Sequence, residues 1–130
     1  MTLRLSTDLK KWFARHIVDL ALESVLELGC NVGANLREIA ALDSSIKRYG
    51  IELNERAIAS GRANVVAPDT TLVRGSMADA KLLMNKSGVD NVDVVFTSAA
   101  AMHCDDDIFA AAKAAALSPA KRAIIVHLKQ

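Results

Sequence analysis

A chain of 130 residues is one domain's worth of protein, long enough to bury a real core and short for two. Lys and Arg total 16 against 15 Asp and Glu, so a net charge of +1 provides no bulk field to recruit nucleic acid or an anionic membrane. With 52% hydrophobic, 24% charged and only 4% aromatic residues, the chain has the balance of a soluble globular protein. It lacks the base-stacking surface of a single-strand binder.

The first residues, Met1 to Asp8, contain no apolar run long enough for a signal peptide or a membrane span, and a cytoplasmic location is expected. The two cysteines, Cys30 and Cys104, have neither disulfide-framework nor zinc-site spacing, so reduced thiols and no bound metal are expected. Thr7 suits the cap of a helix with apolar residues at Leu9, Trp12, Phe13, Ile17 and Leu20. Trp12 and Phe13 read as core anchors of that helix, and His16, within the same stripe, as structural.

Ser24 to Leu28 reads as a buried strand with Glu27 the one polar interruption. It breaks at Gly29, passes through Asn31 and Gly33, and gives way to a helical pattern through Leu36, Ile39, Ala40 and Leu42. Residues 46–53 form a second strand with Tyr49, Ile51 and Leu53 on one face and Arg48, Gly50 and Glu52 on the other. Asn54 caps the next helix, which runs through Ala57, Ile58 and Val65 despite Gly61 in its interior.

Thr71 to Val73 is a short third strand, followed by Arg74-Gly75-Ser76 and a helix predicted from Met77 to about Asn85. Val92 to Phe96 is the clearest buried strand, ending at Thr97 and Ser98. Asp105, Asp106 and Asp107 begin an alanine-rich helix that Ser118-Pro119 ends, and residues 122–128 form a fifth strand. Strands alternating with helices predict a doubly wound, mostly parallel α/β sheet in the order 3-2-1-4-5. Helices cover both faces, an amino-terminal helix precedes the sheet, and residues 1–130 make a single domain.

In such sheets ligands bind at the carboxyl ends of the strands, so the loops after Leu28, Leu53, Val73 and Phe96 face one crevice. Gly29 and Gly33 permit close backbone approach, and Asn31 is one of the few other residues that tolerates positive φ. Glu52 ends the strand beside the first, where a carboxylate can accept from both hydroxyls of a ribose. Ser76, Met77, Ala78 and Asp79 follow the third strand and can bracket a purine, Met77 with a polarisable face and Asp79 as acceptor from an exocyclic amine. A dinucleotide fingerprint would place its three glycines at Gly29, Asn31 and Ala34; the missing second glycine counts against NAD.

The other pattern, acid-x-Gly-x-Gly-x-Gly, fits Glu27-Leu28-Gly29-Cys30-Asn31-Val32-Gly33 with one glycine replaced by asparagine. Here the chain resembles the class I S-adenosylmethionine-dependent methyltransferases, from its amino-terminal helix through the fifth strand. Leu28 to Leu36 followed by Tyr49-Gly50-Ile51-Glu52-Leu53-Asn54 looks like the methylases associated with sugar and surface-polysaccharide biosynthesis. The resemblance implies S-adenosylmethionine as cofactor, with Glu27, Gly29, Cys30, Asn31 and Gly33 around its methionine part. It implies Glu52 at the ribose, Leu53 and Asn54 beside the adenosine, and Met77 and Ala78 flanking the adenine near Ser76 and Asp79. Thr97 and Ser98 would line the methyl-transfer side, where no Asn-Pro-Pro-Tyr motif supports methylation of a nucleobase amine.

A sulfonium is already activated, so positioning of the nucleophile accounts for much of the rate and a general base helps with hydroxyl or protonated amine acceptors. His103 is the candidate base, against a packing or helix-capping role for the same residue; His127, within the last strand, reads as structural. The expected activity is methyl transfer to a small-molecule or sugar-type acceptor. The alternatives are a non-catalytic S-adenosylmethionine- or S-adenosylhomocysteine-binding module that needs a partner and, behind it, an NAD-binding domain. The resembling enzymes continue past the fifth strand, whereas this chain ends at Gln130 and leaves Ile124 to Val126 at a sheet edge. Edges of that kind invite pairing, so a homodimer or a partner subunit is expected.

Overall fold

A computed structural model describes residues 2–20 and 23–97. The described chain runs α1 (Thr2–Asp19), β1 (Ser24–Leu28), α2 (Ala34–Leu42), β2 (Lys47–Glu52), α3 (Glu55–Asn64) and β3 (Thr71–Arg74). A single 3-10 turn (Met77–Asp79), α4 (Ala80–Lys86) and β4 (Val94–Phe96) follow. The four strands form one parallel sheet in the order β3-β2-β1-β4. This is the predicted α/β Rossmann-like architecture. The predicted fifth strand, the helix after Asp105 and the edge on which the homodimer expectation rests lie outside the described residues.

The two faces of the sheet sort by strand alternation. Val25, Val94 and Phe96 point to the face covered by α1, α2 and α3, where they meet Phe13, Ile17, Leu36, Ile39 and Ile58. Phe13 lies against Phe96, ring centroids 5.2 Å apart and tilted by 53°, which ties α1 to the sheet. Leu26, Leu28, Ile51 and Val95 point the other way, onto Ala80 and Met84 of α4. The crossover to β4 therefore runs on the opposite face from those made by α2 and α3, the arrangement of a doubly wound sheet.

Several sequence expectations need correction. Helix α1 begins at Thr2, so Thr7 lies inside it rather than capping it; Leu5, one turn before Leu9, carries the apolar pattern further back. Phe13 is buried, but Trp12 is 53% exposed and packs its ring on the exposed His16, 4.1 Å away. Among the described side chains of α1, Phe13, Ala14 and Ile17 are buried, so Phe13 and Ile17 of the predicted stripe face the core while Trp12 and His16 lie off it. The helix predicted from Met77 opens instead as the 3-10 turn, which Ser76 caps by accepting from the Ala78 N–H at 3.2 Å.

Arg48, on the strand face it shares with Gly50 and Glu52, is a charged side chain that is only 1% exposed. Its Nε donates to Thr70 Oγ1 at 3.1 Å, and Nη1 donates to the Ser44 and Ile46 carbonyls at 3.1 and 2.7 Å. Nη2 pairs with Asp69, a water-exposed carboxylate that the guanidinium holds below its ordinary pKa. These bonds stitch the turn before β3 to the amino end of β2, far from the strand ends that carry the loops of interest. Among the described residues no helix is long and apolar enough to cross a membrane. None of their His, Cys, Asp and Glu side chains form a group of three or more able to hold a metal ion.

Candidate functional site

The glycine loop owes its shape to backbone that ordinary residues avoid. Gly29, Asn31 and Gly33 have φ of 66°, 54° and 87°, all in the left-handed region. Asparagine is the non-glycine residue that reaches that region most readily, so the glycine-to-asparagine exchange leaves the turn intact. The Cys30 N–H donates to the Ile51 carbonyl at 3.0 Å and the Gly33 N–H to the Cys30 carbonyl at 2.9 Å. These bonds root the loop on β2 and close it on itself.

Two glycines outside the loop make its seat. A Cβ at Gly61, in the middle of α3, would stand 2.5 Å from the Val32 carbonyl oxygen. A Cβ at Gly50 would stand 2.6 Å from Cys30 Sγ. The loop backbone thus rests directly on α3, and the Cys30 side chain fills the space that Gly50 leaves open. Burial, reinforced by the charges of Glu27 and Glu52, pushes the Cys30 thiol far up, so it stays protonated at neutral pH. Cys30 is a packing residue that supplies the site with loop geometry and no reactive thiolate.

The acids occupy different environments. Glu27 is 1% exposed in mid-sheet, and its Oε2 accepts from Asn35 Nδ2 at 2.8 Å across the first turn of α2. Glu52 is half-buried at the end of β2, with both carboxylate oxygens engaged. Oε1 accepts from the Asn31 N–H at 2.8 Å and Oε2 from the Asn54 N–H at 2.9 Å. The Asn54 side chain in turn accepts from the Arg56 and Ala57 N–H groups at 2.9 and 3.3 Å, the predicted cap of α3. Gly75, after β3, donates its N–H to the Glu52 carbonyl at 2.9 Å. One residue therefore touches the loops after β1, β2 and β3.

The remaining candidates divide by exposure. Leu53 is 66% exposed beside Glu52, Met77 is half-buried against the α4 side of the core, and Ala78 and Ser76 are half-buried with it. Asp79 is exposed at the end of the 3-10 turn. Thr97 is fully buried, and its hydroxyl donates to the Leu28 carbonyl at 3.0 Å, joining the ends of β4 and β1. Ser98 and His103 lie outside the described residues. Sequence reasoning assigned no role to Asn35, Gly50 or Gly61. For Gly61 the signal was present, as a helix-interior glycine that propensity disfavours.

Residues 25–120 match a family described as methyltransferase domain. The match covers most of the chain, and the protein belongs to this family of methyltransferase domains. Among solved structures it is similar to CalS10, an amino pentose methyltransferase from Micromonospora echinaspora involved in calicheamicin biosynthesis. That likeness has 23% identity and a TM-score of 0.70, over 91% of this chain and 49% of that one. DesVI from Streptomyces venezuelae gives 22% identity and a TM-score of 0.70, over 91% and 50%. The methyltransferase domain of a bacterial Hen1, CtHen1, gives 13% and 0.73, over 93% and 65%. These likenesses concern the fold, and the chain spans about half the length of the first two structures. No curated protein matches the chain.

Proposed function

We propose that the domain binds S-adenosylmethionine across the ends of β1, β2 and β3 and directs its methyl group to a small-molecule or sugar-type acceptor. The observation that carries this reading is the Glu52 carboxylate beside the left-handed glycine loop. Each of its oxygens spends one acceptor position on a backbone N–H. A carboxylate oxygen has two such positions, so each keeps one for a ribose hydroxyl. The residues fit the cofactor in other respects. Gly29 and Gly33 bring no side chains of their own to the loop, Glu27 provides negative charge within β1 for an ammonium group, and exposed Leu53 with half-buried Met77 and Ala78 offers apolar surface to a purine.

When bound, S-adenosylmethionine supplies a methyl group already activated by its sulfonium charge. The protein's own task is to hold the cofactor and the acceptor in line, which accounts for much of the rate in reactions of this kind. His103 is proposed as the base that takes the acceptor's proton, and Thr97 and Ser98 as residues of the acceptor side. The sugar-type acceptor draws support from the amino pentose methyltransferase among the similar structures.

Calorimetric titration tests the shared premise. Binding of S-adenosylmethionine and S-adenosylhomocysteine is expected, with NAD far weaker; no binding, or preference for NAD, rejects the proposal. Turnover with a panel of amino sugars, other small molecules and proteins then separates a methyltransferase from a binding module. In that assay His103→Ala should keep cofactor affinity and lose turnover. The homodimer also enters as a proposal, and sedimentation velocity at micromolar concentration decides it: a mass of two chains is expected, and a monodisperse monomer removes it.

A further inference from the structure

We infer that Glu52 is a positioning residue, whose carboxylate shapes the Gly29–Gly33 loop before any ligand arrives. The inference deepens the proposed function and rests on it only for its consequence, not for its geometry. From sequence alone, a strand-end acid is either a ribose acceptor or a solvated charge. The structure gives it a third role, because its two oxygens hold the backbone N–H groups of Asn31 and Asn54 at 2.8 and 2.9 Å.

These partners sit in different loops, 21 residues to one side of Glu52 and two to the other. Asn31 is the tip of the glycine loop and its one non-glycine residue in left-handed backbone. Such a conformation persists when its surroundings over-determine it. The loop's roots are held by the Cys30 and Gly33 N–H groups, which bond to backbone carbonyls. Its exposed tip is held by Glu52. A charged acceptor makes that bond stronger than a neutral one would.

The chemistry also dictates the residue type. A carboxylate offers two equivalent acceptor oxygens, whereas an amide offers one, and its NH2 would face a backbone N–H. Glutamine therefore cannot keep both bonds. With both oxygens fixed by the N–H groups, the side chain is locked in one orientation, so the acceptor positions left over are also fixed. The carboxylate is thus pre-set for the two hydroxyls of a ribose, and the cofactor does not have to organise it. A third bond, from the Gly75 N–H, goes to the Glu52 backbone carbonyl and survives any side-chain substitution.

Amide hydrogen exchange followed by NMR on the ligand-free protein tests this residue by residue. In Glu52→Ala the Asn31 and Asn54 amides should exchange roughly tenfold faster, while Gly75 keeps its wild-type rate. In Glu52→Gln, which keeps the size of the side chain, one of the two should accelerate and Gly75 again should not. Wild-type exchange at Asn31 and Asn54 in both variants overturns the inference. If the alanine variant loses protection at Gly75 as well, the glutamine variant decides by the same criterion. Titration with S-adenosylhomocysteine keeps the two proposals apart. Faster Asn31 exchange in a protein that does not bind the ligand upholds the positioning role and rejects the cofactor. Weaker ligand binding in Glu52→Ala with unchanged Asn31 and Asn54 exchange does the reverse.

Discussion

Gly61→Ala is expected to weaken S-adenosylhomocysteine binding by roughly tenfold and to lower the melting temperature. The direction is opposite to the one helix propensity gives. In a helix interior alanine is favoured over glycine by about 1 kcal/mol, so an isolated α3 would gain from the change. Here the new Cβ would stand 2.5 Å from the Val32 carbonyl oxygen, 3.0 Å from Leu72 Cδ1 and 3.1 Å from the Val32 carbonyl carbon. A leucine methyl can turn aside; a backbone carbonyl in a loop rooted at Cys30 and Gly33 cannot do so without moving the loop. Displacement of a ligand-holding backbone by roughly an ångström is costly to function even when the fold survives. Titration and a thermal melt check this together. Unchanged affinity with a raised melting temperature would mean that the loop does not rest on α3.

The second large effect falls at the opposite end of the sheet. Arg48→Met should lower the melting temperature by about 10 °C or more, from a loss of roughly 3 kcal/mol. The methionine fills much of the volume but satisfies neither the Thr70 hydroxyl nor the Ser44 and Ile46 carbonyls, to which the guanidinium donates. Buried acceptors left without donors are costly, and a loss of this size is a large share of the stability of a small domain. Asp69 matters less to the sum, because its side chain is 66% exposed and water takes over when the arginine leaves. Since Arg48 lies near the amino end of β2, the folded variant should bind S-adenosylhomocysteine as the wild type does. A melting temperature within a degree or two of wild type would show that the network adds little.

Gly61 and Arg48 also mark where the sequence was legible and where it was not. The element order, the parallel sheet around β1 and the acid-and-glycine loop followed from apolar periodicity and turn residues, which are local signals. Asn54 as the cap of α3 is local in the same way, its side chain reaching only two and three residues ahead. The burial of Arg48 is not legible in the sequence, because its side-chain partners, Asp69 and Thr70, come 21 and 22 residues later. Strand alternation assigns a face but says nothing about what covers it. The bonds of Glu52 escaped for another reason: backbone N–H groups have no signature in a sequence, so an acid that binds them looks like any other.

Trp12 and Phe13 show the limit of helical periodicity. Adjacent apolar residues differ by about 100° around a helix, and either can lead the buried face. Phe96 on β4 settles the choice, since its ring receives Phe13 and leaves Trp12 on the flank.

That placement affects how the protein can be followed in solution. Trp12 is the sole tryptophan of the chain, and more than half of it already meets water in the folded state. Its emission should therefore change little when the core melts, and the melts above are better recorded by loss of helical ellipticity. The indole is instead a built-in reporter for the outer surface of α1, where anything that docks over Trp12 and His16 would shift its emission without unfolding the domain.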